Sequence, residues 1–213
     1  MEACRKKSSQ RADAKRNRER LLNSAAVTYL NEGPNVPMEK IARNACVGVG
    51  TLYRHFPDRN ALAQALTDQA FETVATIAKQ AHDLLKDDPL EAIRFFLFGV
   101  IEQQNKMVLP LTGGPVNELQ RNDGIRREIH GHLEAILDAG GKKEIIRQDV
   151  TALDVMILGA YLVRRLPNLP NGRLMALRQA QIYVNGLRTS NGSSNETLPT
   201  AAEFERGYQN SIT

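Results

Sequence analysis

Between Met38 and Phe56 the chain reads MEKIARNACVGVGTLYRHF, and the side chains there that could do chemistry are Thr51, Tyr53, Arg54 and His55. They are a hydroxyl, a phenol, a guanidinium and an imidazole in one short run. Leu52 and Phe56 lie four apart, so on a helix they point to one inward side and leave the four polar groups along the other. Such a face fits the major groove of B-DNA, where arginine can read guanine and a threonine methyl can pack on thymine.

A face of this kind needs a support, and the preceding residues supply its pattern. Ile41, Ala42 and Ala45 make the buried stripe of a short helix, while Glu39, Lys40, Arg43 and Asn44 fall on its wet side. Cys46, Val47 and Gly48 interrupt that pattern, with Val47 as the lone apolar anchor, and a second helix begins at Gly48 or Val49. The spacing predicts two short helices separated by a four-residue turn.

The run Gly50-Thr51-Leu52-Tyr53-Arg54-His55-Phe56-Pro57, preceded by Ile41-Ala42 and Val47, resembles the signature of TetR (tetracycline-repressor) type regulators over about residues 14 to 70. The LYRHFP run followed by a helix started at Asp58 is far more specific than a bare helix-turn-helix match. Two positions depart from the family pattern. Cys46 stands where glycine is common, so a left-handed backbone there would carry a Cβ penalty of about 1 kcal/mol. Pro37 stands where serine or threonine commonly caps the first helix of the motif; it suits a first helical turn but supplies no capping oxygen for the hydroxyl-to-phosphate contact the family would imply.

Thr51, Tyr53 and His55 are the candidates for base or nearby backbone contacts, with Arg54 a base reader or a phosphate clamp; Gly50 belongs to the same face. Lys40, Arg43 and Arg59 are phosphate candidates. Lys15, Arg16, Arg18 and Arg20 read either as a solvated face or as further phosphate contacts, and their nearness to the motif favours the latter. Residues 1–60 hold 12 Lys or Arg against 6 Asp or Glu, and the remaining residues 16 against 18. A basic first segment on a near-neutral body suits phosphate binding, although an exposed charged tail would look the same.

The chain of 213 residues with 42% hydrophobic residues is long enough for one or two domains with a real core. Cys4 and Cys46 cannot form a disulfide framework, which points to a reducing, cytoplasmic setting. No apolar stretch follows the charged N-terminus, and the longest apolar run, Val155 to Val163, is far below the roughly 18 residues needed to span a bilayer, so no membrane association is expected.

Nearly every segment shows 3.6-type periodicity, and the expected fold class is all-α with about nine helices: an N-terminal three-helix helix-turn-helix DNA-binding domain plus a C-terminal helical ligand-binding and dimerisation domain. The expected divisions are a flexible basic arm over 1–12, the helix-turn-helix domain over 13–57, a connector helix over 58–82, the effector-binding and dimerisation domain over 83–188, and a flexible tail over 189–213. Asp13 is expected to cap the first helix, whose stripe is Leu22, Ala25, Ala26, Tyr29 and Leu30. Further helices are expected from Leu90 to about Lys106 and from about Val116 to Ala139.

In the C-terminal half Phe95, Phe96 and Phe98 cover more than one helical face, which means core or pocket. The resemblance implies an apolar inducer cavity, with Phe95, Phe98, Met107, Leu111, Leu119, Leu133, Met156 and Tyr161 as wall candidates and Leu137 beside them; a packed core is the alternative. The run Val155–Val163 is apolar all round and needs burial on every side. With an amphipathic helix from about Arg173 to Leu187 it is expected to form a four-helix homodimer interface through Met156, Gly159, Ala160, Val163, Leu177, Tyr183 and Val184. His130 and His132 lie two apart and point to different faces, and no metal, cofactor or catalytic signature accompanies them.

The expected partners are therefore a double-stranded DNA operator, a small-molecule effector and a second copy of the chain. The expected function is a ligand-responsive transcriptional regulator, a repressor released from a palindromic operator by a small apolar molecule. The alternatives are a DNA-anchored adaptor whose C-terminal half binds a protein, and an all-helical enzyme using a cavity near Phe95.

Overall fold

The computed structural model of the chain describes residues 2–33, 35–107, 122–164 and 171–189. Among them are eight α-helices, a 3-10 turn at Gln104–Lys106 and no strand; Ile146 and Arg188 form an isolated antiparallel bridge. They group into two compact units. The first runs to Ala70 and includes a short stretch from Asn105; the second comprises Phe71–Gln104 and the later helices.

In the first unit α1 spans Glu2–Glu32, α2 Met38–Asn44 and α3 Val49–His55, and α4, Arg59–Asp83, begins there. Gly33 ends α1: its φ of 85° is one that side chains resist, and its N–H is donated to the Tyr29 carbonyl at 2.9 Å. At its other end α1 begins at Glu2, not behind a cap at Asp13. Residues 2–12 contain neither proline nor glycine and abound in alanine, arginine and lysine, so nothing stops the helix, and Asp13 pairs with Arg16 one turn on.

Helices α2 and α3 have seven residues each, well below the roughly 12 to 15 that hold a helix in water unaided. Tertiary burial stabilises them. Leu21, Leu22, Ala25, Ala26 and Tyr29 of α1 meet Ile41, Ala42 and Ala45, then Leu52 and Phe56, then Leu62, Ala65 and Leu66 of α4 in one core, with Val47 packed on its edge. Each fully buried aliphatic side chain in it contributes about 1.5 to 3 kcal/mol. Asp58 starts α4 by accepting the Ala61 N–H at 2.7 Å.

The second unit contains α5 (Pro89–Glu102), α6 (Asp123–Lys142), α7 (Ala152–Leu162) and α8 (Gly172–Gly186). Helix α5 packs on all three others, α6 on α7, and α7 on α8. Its start combines Pro89 in the first turn with Asp88, whose carboxylate accepts the Leu90 and Glu91 N–H groups at 2.9 and 3.3 Å. Helix α7 opens with a capping box between Thr151 and Asp154. Gly140 is required where the chain reverses after α6, since a Cβ there would lie 2.5 Å from Ile146 Cδ1 in the core.

Two expected boundaries shift. Helix α5 ends at Glu102 and the 3-10 turn follows, and the helix expected over 116–139 is observed from Asp123 to Lys142, residues 108–121 lying outside the described residues. Most of the expected tail, from residue 190 on, also lies outside them. Among the described residues no helix is long and apolar enough to cross a membrane.

Candidate nucleic-acid interface

Helix α3 is held by one side and presents the other. Leu52 and Phe56 are buried, Tyr53 and Arg54 are exposed, and Thr51 and His55 are half-buried beside them. Gly50 is exposed with open space where a Cβ would stand, so packing within the chain does not demand glycine there. Val49, also exposed, adds an apolar contact to this face that its position in the motif did not reveal.

The polar groups on this surface are already ordered by one another. Arg54 lies along its own helix, its Nε donating to the Gly50 carbonyl at 3.2 Å and a terminal nitrogen to Thr51 Oγ1 at 3.1 Å. The Tyr53 hydroxyl donates to Glu39 Oε1 at 3.0 Å, joining α3 to α2. That carboxylate also accepts its own backbone N–H, and these bonds hold the Glu39 carboxyl below the usual carboxylate range; the same hydrogen bond raises the Tyr53 phenol. Burial raises the Tyr29 phenol, and the positive charge of Arg59 acts in the opposite direction on it and on the Glu39 and Tyr53 groups.

The turn between the helices has the left-handed backbone that the family resemblance implies at Cys46. Cys46 has φ 53°, in the left-handed region, a conformation costing a residue with a Cβ about 1 kcal/mol. It is held by its N–H to the Arg43 carbonyl at 3.0 Å, by the Val47 N–H to the Ala42 carbonyl at 2.9 Å, and by the Arg20 guanidinium on its own carbonyl at 3.4 Å. Ser24 Oγ donates to the Ile41 carbonyl at 3.1 Å and Asn44 to Thr28 Oγ1 at 3.1 Å, fastening α2 to α1. Pro37 indeed precedes α2 without a side-chain cap, and the Glu39 carboxylate accepts one of the amides left uncapped.

Several phosphate candidates have partners within the chain. Lys40 pairs with Glu32 and Arg16 with Asp13, whereas Arg18 lies over the Phe56 ring at 5.4 Å from its centroid and Arg43 is exposed. Exposed ion pairs contribute at most about 1 kcal/mol, so Lys40 and Arg16 can exchange a carboxylate for a phosphate. Arg18 has a packing role that spacing alone did not suggest.

The C-terminal candidates do not share one environment. Leu133, Leu137 and Met107 are buried, Phe95 and Tyr161 are exposed, Met156 is half-buried, and Phe98 is half-buried with the Arg94 guanidinium 5.0 Å from its ring centre. Leu111 and Leu119 lie outside the described residues. His130 and His132 take different partners, Glu134 at 3.4 Å and Glu128 at 3.9 Å.

The interface residues also divide. Gly159, Val163 and Val184 are buried in their own chain, and a Cβ on Gly159 would meet Phe96 of α5 at 3.8 Å. The Tyr183 hydroxyl is buried as well, and burial pushes its pKa up to about 12. Met156 and Leu177 are half-buried. Helix α7 is apolar all round yet leaves Ala160 and Tyr161 exposed, and α8 leaves Leu174, Met175 and Ile182; Tyr161, Leu174 and Ile182 are 63%, 58% and 53% exposed.

Residues 21–66, which span the α1 stripe, both motif helices and the start of α4, match the family model described as bacterial regulatory proteins, tetR family. An HTH-type transcriptional regulator of Staphylococcus aureus (strain USA300) is 38% identical over 74 residues, a stretch covering 34% of this chain and 40% of that relative. The chain thus spans less than half the length of the curated relatives it matches. The TetR transcription regulatory protein from Mycobacterium vanbaalenii is 29% identical with a TM-score of 0.59, over 84% of this chain and 99% of that one. AibR, solved in complex with isovaleryl coenzyme A and operator DNA, shares the fold at 16% identity and a TM-score of 0.59, over 81% of this chain and 98% of that one. The motif helices, the turn and their core all fall inside the segment that matches the tetR-family model, and the all-helical architecture is similar to that of the TetR protein from Mycobacterium vanbaalenii over most of the chain.

Proposed function

We propose that the chain is a DNA-binding transcriptional regulator that reads an operator through α3 and responds to a small molecule through its second unit. The observation that carries the reading is the two-sided α3: Leu52 and Phe56 anchor it while Tyr53, Arg54 and Thr51 line its outer face among basic residues. Tyr53 and Thr51 are assigned to bases or the adjacent backbone, Arg54 to either, and Lys40, Arg43 and Arg59 to phosphates. His55, Gly50, Arg16 and Arg18 border this surface.

A single short recognition helix binds weakly, and the proposed active species is a homodimer reading half-sites about 34 to 36 Å apart. Its interface is assigned to the exposed apolar residues of α7 and α8, namely Ala160, Tyr161, Leu174, Met175 and Ile182. The effector is a small apolar molecule, and its binding in the α5–α8 unit releases the operator, so that the chain acts as a repressor in the cytoplasm. AibR, with an acyl-coenzyme A and operator DNA in one complex, supports a ligand-and-DNA reading of this fold.

The test is fluorescence anisotropy with labelled DNA from upstream of the chain's own gene, scrambled competitor, and two salt concentrations. Tight, competitor-resistant binding at two chains or more per site is expected; weak binding equal for both duplexes would go against it. Should the chain prove monomeric, the exposed apolar face favours the adaptor reading, with a protein partner there.

A further inference from the structure

Glu39 is a carboxylate on a surface otherwise furnished with cations and donors, and its second partner, the Tyr53 hydroxyl, lies beyond the amide it caps at the start of α2. It is exposed on α2, its Oε1 accepts the Tyr53 hydroxyl at 3.0 Å, and Arg59 contributes positive charge nearby. We infer that Glu39 is a positioning and specificity-determining residue for DNA: it holds the Tyr53 ring ready for the groove and repels duplexes that offer phosphates without the right bases. The inference rests on the DNA-binding reading above.

The physical argument has two parts. The Tyr53 side chain turns about two bonds, and an exposed ring would otherwise exchange between rotamers; a charge-assisted hydrogen bond to the preceding helix selects one before DNA arrives. Non-specific association, in contrast, is almost entirely phosphate charge, so one fixed negative charge on the approach surface weakens it directly. An operator complex suffers the same repulsion but regains affinity from a preset Tyr53. Glu39 therefore lowers affinity for all DNA and raises the ratio between right and wrong sequences. Its bond to its own amide and to Tyr53 stabilises the charged form, so the repulsion persists at neutral pH.

The experiment compares the parent chain with Glu39→Gln, which removes the charge but keeps an oxygen able to accept from Tyr53, and Glu39→Ala, which removes both. A scrambled duplex at low salt is the probe, so no operator need be known. Glu39→Gln is expected to bind it about threefold to tenfold more tightly, with a salt slope steeper by about one and the gain fading as salt rises. Glu39→Ala should show the same gain, and in both variants the Tyr53 phenol should titrate at lower pH, followed by NMR of carbon-labelled tyrosine and assigned with Tyr53→Phe. A scrambled-duplex affinity unchanged or lowered in Glu39→Gln, on a parent that binds DNA, would overturn the role of Glu39 alone. Failure of the parent to bind any duplex at low salt would overturn the DNA reading, and this inference with it.

Discussion

The outer face of α3 and the exposed face of α7 and α8 are both what remains when a helix buries its other side, but they leave opposite chemistry in water. On α3 the exposed polar side chains Tyr53 and Arg54 have each found a local partner: Tyr53 on Glu39, Arg54 on Gly50 and Thr51. Such bonds are weak enough to be traded for contacts with a nucleic acid, and the surface is stable without it. On α7 and α8 the exposed groups include Tyr161, Leu174, Met175 and Ile182, whose apolar surface water does not satisfy. One face is complete in the free chain; the other is left incomplete by folding. Under the proposed function, that contrast separates a reading surface from an assembly surface more clearly than composition does.

The sharpest way to break the comparison is to put a charge on the second face. Ile182→Asp is expected to yield a monomer in sedimentation and to lose about two orders of magnitude or more of operator affinity, since two linked reading heads gain some 100- to 10,000-fold over one. A variant that stayed dimeric with full affinity would place the assembly surface elsewhere. Next in size is Tyr53→Ala, which should weaken operator binding by roughly 10- to 100-fold while leaving helicity and dimerisation unchanged, as for the loss of a good base contact. The two variants together ask whether the two faces act independently.

Smaller effects sharpen the picture within each unit. Cys46→Gly relieves a left-handed residue and should raise stability by up to about 1 kcal/mol, read as a higher denaturant midpoint, with operator binding kept; a loss of stability would mean that the turn's hydrogen bonds already offset the strain. In the second unit Asp149 is held below the usual carboxylate range by its hydrogen bond from Arg147. A depressed folded pKa gives stability that is complete above the ordinary carboxylate value, about 3.9, and is lost as pH falls through the folded value. Asp149→Asn should therefore lower Tm slightly at neutral pH, leave it nearly unchanged below the folded value, and so shallow the acid-side decline.

Much of the reading unit was legible because its signals are local. The stripe Ile41, Ala42 and Ala45, the pair Leu52 and Phe56 and the four-residue turn follow from spacing and residue type, and the structure places each accordingly, while the left-handed backbone at Cys46 was implied only by the family resemblance. The start of α1 was misread because Asp13 is a good cap wherever a helix begins, yet nothing before it prevents a helix from continuing. Which side of α7 each residue faces was hidden for a different reason. An all-apolar run gives no phase, so periodicity could not say that Gly159 and Val163 turn inward while Ala160 and Tyr161 turn out.

What the sequence by itself determined is the set of helices, their buried stripes and the polar character of the α3 face, because helix periodicity and capping act over a few residues. Only the tertiary structure decided that Tyr53 would meet Glu39, that Arg18 would lie over Phe56, and which residues of α7 and α8 would stay exposed. Those outcomes depend on how long side chains from elements far apart in sequence come within a few ångströms of one another, and no spacing along the chain encodes that distance.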